Sequence, residues 1–266
     1  MSAFGRFSGG PGALMLENEM GVGRRVALTV VAVAGLAGCG VQDPQPTGIH
    51  DPYEGVNRGV HAFNKGFDTV VFKAPPGKPR TIDNAFVRSV SNAGSNLGLP
   101  GKVVNSILQG RPAPAMMNTF RFLVNTTVGI GGLFDPAGTA MNLPEQDTDF
   151  GETLAVWGVH EGDYVELPLF GPSTARDAVG RVVDIAMNPL GGLQGTAATA
   201  ATATRIAGKA ADRKIHGDVI ESVLYDSADS YSQSRLMYLQ NRRYHLAGQE
   251  TKNDANTWDP YTDPAQ

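Results

Sequence analysis

Apolar residues recur every three or four positions through most of the chain beyond residue 53, the spacing of one face of a helix. Val56, Val60, Phe63, Phe67, Val70 and Val71 make the first such stripe and predict a helix from Tyr53 to Val71. The run Lys73-Ala74-Pro75-Pro76-Gly77-Lys78-Pro79 ends it, because proline cannot continue a helix. Ile82, Ala85, Phe86 and Val90 place a second helix over Ile82 to Leu97, broken at Leu99-Pro100-Gly101. A short helix follows over Lys102–Gln109, and Pro112 or Pro114 opens the next, through Met116, Met117, Phe120, Leu123 and Val124.

The pattern then changes. Gly129-Ile130-Gly131-Gly132-Leu133-Phe134-Asp135 is a glycine-rich turn, without the preceding strand or the spacing of a dinucleotide loop. Thr153–Val159 and Tyr164–Leu169 read as a small hairpin turning at His160–Asp163, with Pro168 confining the second strand to an edge. Thr174-Ala175-Arg176-Asp177 resembles a capping box and opens a helix to about Met187. Residues 195–211 are rich in Ala and Thr; a helix with a weak apolar face is favoured over a poorly ordered stretch. Ile215, Val219, Val223 and Leu224 continue a helical stripe, and Asp226–Asp229 offers a fresh cap for a last helix through Tyr231, Leu236, Tyr238, Leu239 and Tyr244. The expected fold class is mainly α, a single domain with one small β-hairpin, over residues 51–247. The polar tail 248–266 is expected to be disordered.

The N-terminal part reads differently. Arg24-Arg25, the apolar run Val26 to Ala37 and then small residues are the layout of a secretory signal peptide. Twelve residues fall short of the roughly twenty needed to cross a bilayer. The arginine pair lacks the partners of a twin-arginine signal, so ordinary secretion is expected. Residues 1–19 carry Glu17 and Glu19, unsuited to a basic leader, which makes Met20 or Met15 a better start than Met1. Leu36-Ala37-Gly38-Cys39 resembles a bacterial lipobox, so residues 1–38 are expected to be removed and Cys39 acylated. Residues 39–50 then form a tether; the eleven from Gly40 to His50 reach at most roughly 35–40 Å.

Composition narrows the chemistry. The chain has 22 Lys and Arg against 26 Asp and Glu; three of the basic and two of the acidic residues precede Cys39, so the mature part keeps a net charge of −5. A mildly acidic chain without a basic run argues against nucleic acid as a partner. Cys39 is the one cysteine, which excludes an intramolecular disulfide and a cysteine metal site. No Gly-x-Ser-x-Gly occurs, and His50, His61, His160, His216 and His245 are scattered without metal-ligand spacing. Asp163 and Glu166, three apart on a strand, would point to opposite faces. No catalytic residue, metal or cofactor is expected, and the sequence favours a non-enzyme.

Five motifs in order carry a resemblance. They are Asp51-Pro52-Tyr53-Glu54-Gly55-Val56-Asn57-Arg58 with Phe63-Asn64; Asn96-Leu97, Pro100, Asn105 and Leu108-Gln109-Gly110; Arg121-Phe122, Asn125-Thr126 and Gly129 to Asp135; Phe150-Gly151-Glu152-Thr153-Leu154 with Gly158, Gly162, Tyr164, Pro168, Gly171 and Arg176-Asp177; and Asp226 to Tyr231 with Arg235, Tyr238, Leu239 and Gln240. From Asp51 to Arg243 the chain resembles the VacJ/MlaA family of outer-membrane phospholipid-binding lipoproteins. The resemblance implies a ring of amphipathic helices seated in the outer membrane, anchored through lipid at Cys39 and facing the periplasm. It implies removal of phospholipid from the outer leaflet and delivery to a periplasmic lipid carrier protein, with a porin trimer as partner and lipid asymmetry as the result. Gly40 after the acylated position, where an aspartate would resemble an inner-membrane retention signal, fits outer-membrane sorting. Asn57, Arg58, Phe63, Asn64, Gly131, Gly132 and Arg176 are the candidates for the lipid pathway. Two alternatives stay open: an envelope lipoprotein that scaffolds porins without moving lipid, and a lipid hydrolase. The chain departs from the family at 196–204, where Ala and Thr replace a bulkier aromatic stretch, and its two tryptophans, Trp157 and Trp258, make a thin interfacial belt.

Overall fold

The computed structural model describes residues 48–255. The signal segment, Cys39, the first part of the tether and residues 256–266 lie outside the described residues. The elements in chain order are α1 (Glu54–Val71), α2 (Ala85–Asn96), α3 (Leu99–Leu108), α4 (Pro112–Thr127), the short α5 (Pro136–Thr139), α6 (Phe150–Val156), β1 (Tyr164–Leu167), β2 (Gly171–Thr174), α7 (Ala175–Ala186), a 3₁₀ turn (Pro189–Gly192), α8 (Gly195–Ile215), α9 (Gly217–Glu221), a π turn (Ser222–Asp226) and α10 (Ser230–Ala255). The fold is mainly helical with one two-stranded antiparallel sheet, as the periodicity predicts.

The neighbours form a closed circuit. The hairpin touches α7, α7 lies on α6, α6 meets α3, and α3 pairs with α4. The circuit continues from α4 to α2, α2 to α8, α8 to α9 and the π turn, then to α10 and back to β2, with α1 laid along β1. A circuit of this kind is a ring, and it leaves little room for one large apolar centre. The buried apolar cluster is small, Tyr164, Tyr231 and Leu239, with Ile49 and Tyr238 packed on it.

Local chemistry explains where the elements begin. Asn84, Asp149 and Thr174 cap α2, α6 and α7 by accepting from the backbone N–H of Val87, Glu152 and Asp177. Pro100 falls in the first turn of α3, where proline is tolerated, so Leu99-Pro100-Gly101 starts that helix instead of only ending the one before. The hairpin lies one element later than its expected position. Thr153 to Val156 belong to α6, and Tyr164–Leu167 pairs with Gly171–Thr174, Tyr164 opposite Thr174. Two causes favour the helix: the Asp149 cap, and the crossing of α6 on α7, where a Cβ on Gly180 would stand 2.3 Å from the Gly151 nitrogen. Leu169 turns the hairpin with φ +65°.

Two ends of the expected domain also differ. Ile49 and His50, at the end of the expected tether, are docked: the His50 carbonyl accepts from Tyr164 N–H at 2.8 Å and His50 Nδ1 meets Asp163 Oδ1 at 2.6 Å. Helix α10 continues to Ala255, past the expected start of the tail at Gly248.

Candidate functional site

The helices are amphipathic with their polarity reversed. On α4, Asn118, Arg121 and Asn125 are buried, at spacings of three and four, while Met116, Phe120 and Leu123 are exposed. On α1, Asn57 and His61 are buried and Val56, Phe63, Phe67 and Val70 are exposed, Val70 to 87%. Helix α3 hides Asn105 and Ser106 and exposes Ile107; α7 hides Arg176 and Asp177 and exposes Ile185. In a protein surrounded by water, large apolar patches are seldom left open and charged side chains are seldom buried. Here the polar faces meet one another inside the circuit and the apolar faces look out. No helix among the described residues is long and apolar enough to cross a membrane.

Most of the buried polar side chains pair with one another, and three seams carry the pathway candidates. At the first, α1 is bolted to the hairpin and to α10. Asn57 donates to Asp51 Oδ1 at 2.9 Å and to the Tyr164 carbonyl at 3.1 Å, and accepts from Glu166 N–H at 2.9 Å. Asn64 donates to the Leu167 carbonyl at 3.0 Å and accepts from Leu169 N–H at 2.7 Å. Asp51 also accepts from the Tyr231 hydroxyl and from Arg235. Arg58 is exposed, forked onto Asp229 at 3.1 and 2.8 Å, bonded to Glu54 at 2.8 Å, and lies over the Tyr231 ring. That fork holds the Asp229 carboxyl well below the usual carboxylate range. Phe63 shares the helix but faces outward, 56% exposed.

The second seam joins α4 to α5. Arg121 forks onto Asp135 at 3.0 and 3.1 Å and donates to the Leu143 carbonyl; Asn125 donates to Asp135 at 2.8 Å and accepts from Ala137 N–H at 3.1 Å. The neighbouring glycine turn depends on conformation and on space. Gly131 and Gly132 have φ of +69° and +88°, and a Cβ on Gly132 would stand 2.6 Å from Asn96 Cβ.

The third seam lies where α6, α7 and α10 meet. Arg242 bridges Asp149 and Asp177, bonding to Asp149 at 2.9 and 2.7 Å and to Asp177 Oδ1 at 3.0 Å. Burial opposes the charge on Asp177, yet Arg242 and the Tyr238 hydroxyl outweigh it and keep the carboxyl below its ordinary value. Arg176 is buried against Asp177 at 3.2 Å and the Val159 carbonyl at 3.5 Å, and its Nη2 has no partner. Glu152 touches Arg111 at 3.0 Å, but burial prevails and pushes its carboxyl up to about 7. Thus Asn57, Arg58 and Asn64 come together on α1, while Arg176 and the Gly131-Gly132 turn sit in other seams.

Sequence spacing alone did not reveal one constellation. His61 Nε2 lies 3.1 Å from Ser230 Oγ, and His61 Nδ1 lies 3.2 Å from Glu166 Oε1. The only signal for it was position: His61 follows Asn57 by one turn on the face that meets the hairpin. Serine, histidine and carboxylate in this order resemble a nucleophile with its base. The surroundings do not complete that chemistry. The N–H groups of Tyr231 and Ser232 both donate to Asp229 Oδ1, at 3.1 and 3.2 Å, and so are not aimed at a developing oxyanion. Glu166 also accepts from the Tyr164 hydroxyl and from Asn64. The group ties α1, β1 and α10 together. Among the described residues, no three His, Cys, Asp or Glu are grouped to hold a metal ion.

Comparison with known proteins places this arrangement. The model of the MlaA lipoprotein family matches residues 49–245. A protein of Rickettsia felis is 42% identical over 144 residues, 53% of this chain and 57% of that protein. The intermembrane phospholipid transport system lipoprotein MlaA of Escherichia coli K12 is 35% identical over 165 residues, 60% of this chain and 65% of that protein. The match therefore spans between just over half and just under two thirds of the length of these relatives. A solved chain from work on the structural basis for maintenance of bacterial outer membrane lipid asymmetry superposes with a TM-score of 0.56 and 29% identity, covering 74% of this chain and 98% of that one.

Proposed function

The chain belongs to the MlaA lipoprotein family, and from that premise we propose that it removes phospholipid from the outer leaflet of the outer membrane and passes it to a periplasmic carrier protein. The single observation that carries this reading is the reversal of the helices. A ring with apolar outer faces suits acyl chains, and a polar interior suits headgroups. The name of the E. coli relative, a phospholipid transport lipoprotein, points the same way. Acylation of Cys39 holds the ring at the membrane; each buried acyl methylene contributes about 0.8 kcal/mol, and two or more chains anchor stably. A porin trimer is the proposed partner in the bilayer.

Each pathway candidate takes a role in this reading. Arg58, exposed at the edge of the first seam, meets headgroups, and Phe63 meets acyl chains. Asn57, Asn64 and Arg176 hold the wall in shape, and Gly131-Gly132 shape the loop beside Asn96. No chemical step is needed, and the Ser230–His61–Glu166 group acts as a brace.

The test is deletion of the gene followed by assay of surface-exposed phospholipid. Phospholipid in the outer leaflet is expected to rise, to fall again with the wild-type gene, and to stay high with Cys39→Ala. No rise on deletion, together with full complementation by Cys39→Ala, would overturn the proposal. Loss of porin assembly with unchanged surface phospholipid would favour the scaffold instead.

A further inference from the structure

The connection from α1 to α2 has no part in the reading above. Pro75, Pro76 and Pro79 fix φ at three of its positions, and Lys78 N–H donates to the Pro75 carbonyl at 3.0 Å around Gly77, whose φ is +76°. With the end of α1 and Glu221 of α9, this loop encloses an open recess of about 500 Å³ whose lining includes Thr69, Lys73, Pro76, Lys78, Arg80 and Glu221. That is the size range of small-ligand sites.

The acids around the recess are already engaged. Glu221, almost wholly buried, accepts from Ala74 N–H at 3.0 Å and lies 3.6 Å from Arg80 Nε and 3.8 Å from Arg213 Nη2. Asp226 forks onto Arg80 at 2.6 and 3.2 Å. Asp68 is held by Arg213 at 2.7 and 2.8 Å and by the Tyr225 hydroxyl at 2.8 Å. Asp218 accepts from the Thr81 hydroxyl at 2.6 Å. Among the cations, Lys214 donates to the Phe72 carbonyl. Lys73 and Lys78 make no ion pair within 4 Å among the described residues, although Lys73 adds to the stronger hold of Arg80 in keeping the Asp226 carboxyl below its usual range. Lys73 Nζ stands 4.2 Å over the Tyr225 ring, and Lys78 has no side-chain partner. Both are exposed, in a chain whose net charge is −4.

We propose that this recess binds a phosphate group, carried by a lipid headgroup or by a soluble phosphate ester, between the ammonium groups of Lys73 and Lys78. Lysine is a common phosphate partner acting as a point charge. The prolines fix the loop and the Tyr225 ring steadies Lys73, so the freedom lost on binding falls mainly on the Lys78 side chain. The space exceeds a bare phosphate and admits its substituent. A lipid source rests on the transport reading; a soluble source does not.

The experiment titrates the full chain in neutral detergent against three probes and follows their ³¹P line widths: inorganic phosphate, glycerol 3-phosphate and dihexanoyl phosphatidylglycerol. The wild type is expected to broaden the signals, and added sodium chloride to weaken the effect. Lys73→Gln with Lys78→Gln should weaken binding roughly tenfold, the scale for removing two exposed unit charges beside an anion. Lys73→Arg with Lys78→Arg should retain it. Broadening of phosphatidylglycerol identifies the headgroup source, and broadening of the soluble probes alone identifies the free ester; either supports the site. No broadening with any probe overturns it. So does equal broadening by the glutamine variant, provided its melting temperature matches the wild type. If phosphate binds but gene deletion leaves surface phospholipid unchanged, this site stands and the transport reading falls.

Discussion

The seam joining α1, the hairpin and α10 differs in kind from the crossing of α2 over α8. The seam is built from directed bonds: Asn57 alone engages Asp51, the Tyr164 carbonyl and Glu166 N–H. The crossing is built from absence of bulk, since a Cβ on Gly94 or Gly208 would stand 2.7 Å from the other's Cα. Its side chains add Ser91 bonded to Asp212. Both solve the problem of a ring whose outer faces are apolar. Where water does not drive apolar faces together, helices associate through hydrogen bonds or through close backbone contact. The molecule uses one device at each of these two places, and both together where α6 crosses α7.

This contrast can be broken at each side in turn. The largest effect is expected from Asn57→Leu, which leaves buried groups on three partners unpaired; a loss of about 3 kcal/mol, on the order of one to three per such group less what relaxation recovers, should appear in chemical denaturation. Gly208→Ala should cost about 1–3 kcal/mol through overpacking against Gly94, read from the same melts. Gly55→Ala, whose Cβ meets open space, is the control, and a gain of up to about 1 kcal/mol is expected there. If Gly208→Ala proves neutral, the close-contact half of the comparison is wrong.

Acid titration sharpens the distinction, because only directed polar groups carry pH dependence. Glu152 has an ordinary carboxyl value of 4.5 and rises to about 7 in the fold, so the folded state binds more protons between these limits. Its contribution is therefore fully present below pH 4.5 and is lost as pH rises toward 7. Glu152→Gln should flatten the stability profile in that window, followed by melting temperature against pH, while Gly208→Ala should lower the profile without changing its slope. Arg58→Ala should have the smallest effect, a melting temperature close to wild type, because its pair with Asp229 is exposed and screened.

The helices and their faces were legible because their period is. The stripes Val56–Phe63–Phe67 and Met116–Phe120–Leu123 were visible as stripes; which side they face was not. Periodicity separates two faces of a helix without saying which solvent each meets. The family resemblance supplied the apolar exterior that composition could not. The hairpin falls one element later than the pattern suggests because Thr153–Val156 has the apolar content of a strand, and the forces that make it helical, a cap from Asp149 and close contact with Gly180, are partly tertiary. The Ser230–His61–Glu166 brace was invisible for the same reason: His61 is separated from each of the other two by more than a hundred residues, and the three meet only when the ring closes.

If the ring works as proposed, its outward faces lie against lipid. The direct test places a nitroxide, by way of Phe120→Cys, Val70→Cys and Phe86→Cys, Phe86 being an exposed residue of α2, on the chain in phospholipid vesicles. Collision with dissolved oxygen is then compared with collision with a water-soluble nickel chelate, using Asp147→Cys, at a side chain 86% exposed, as the aqueous reference. Oxygen should dominate at the three apolar positions and nickel at Asp147→Cys. Nickel dominating at Phe120, Val70 and Phe86 as it does at the reference would mean that these faces meet water instead.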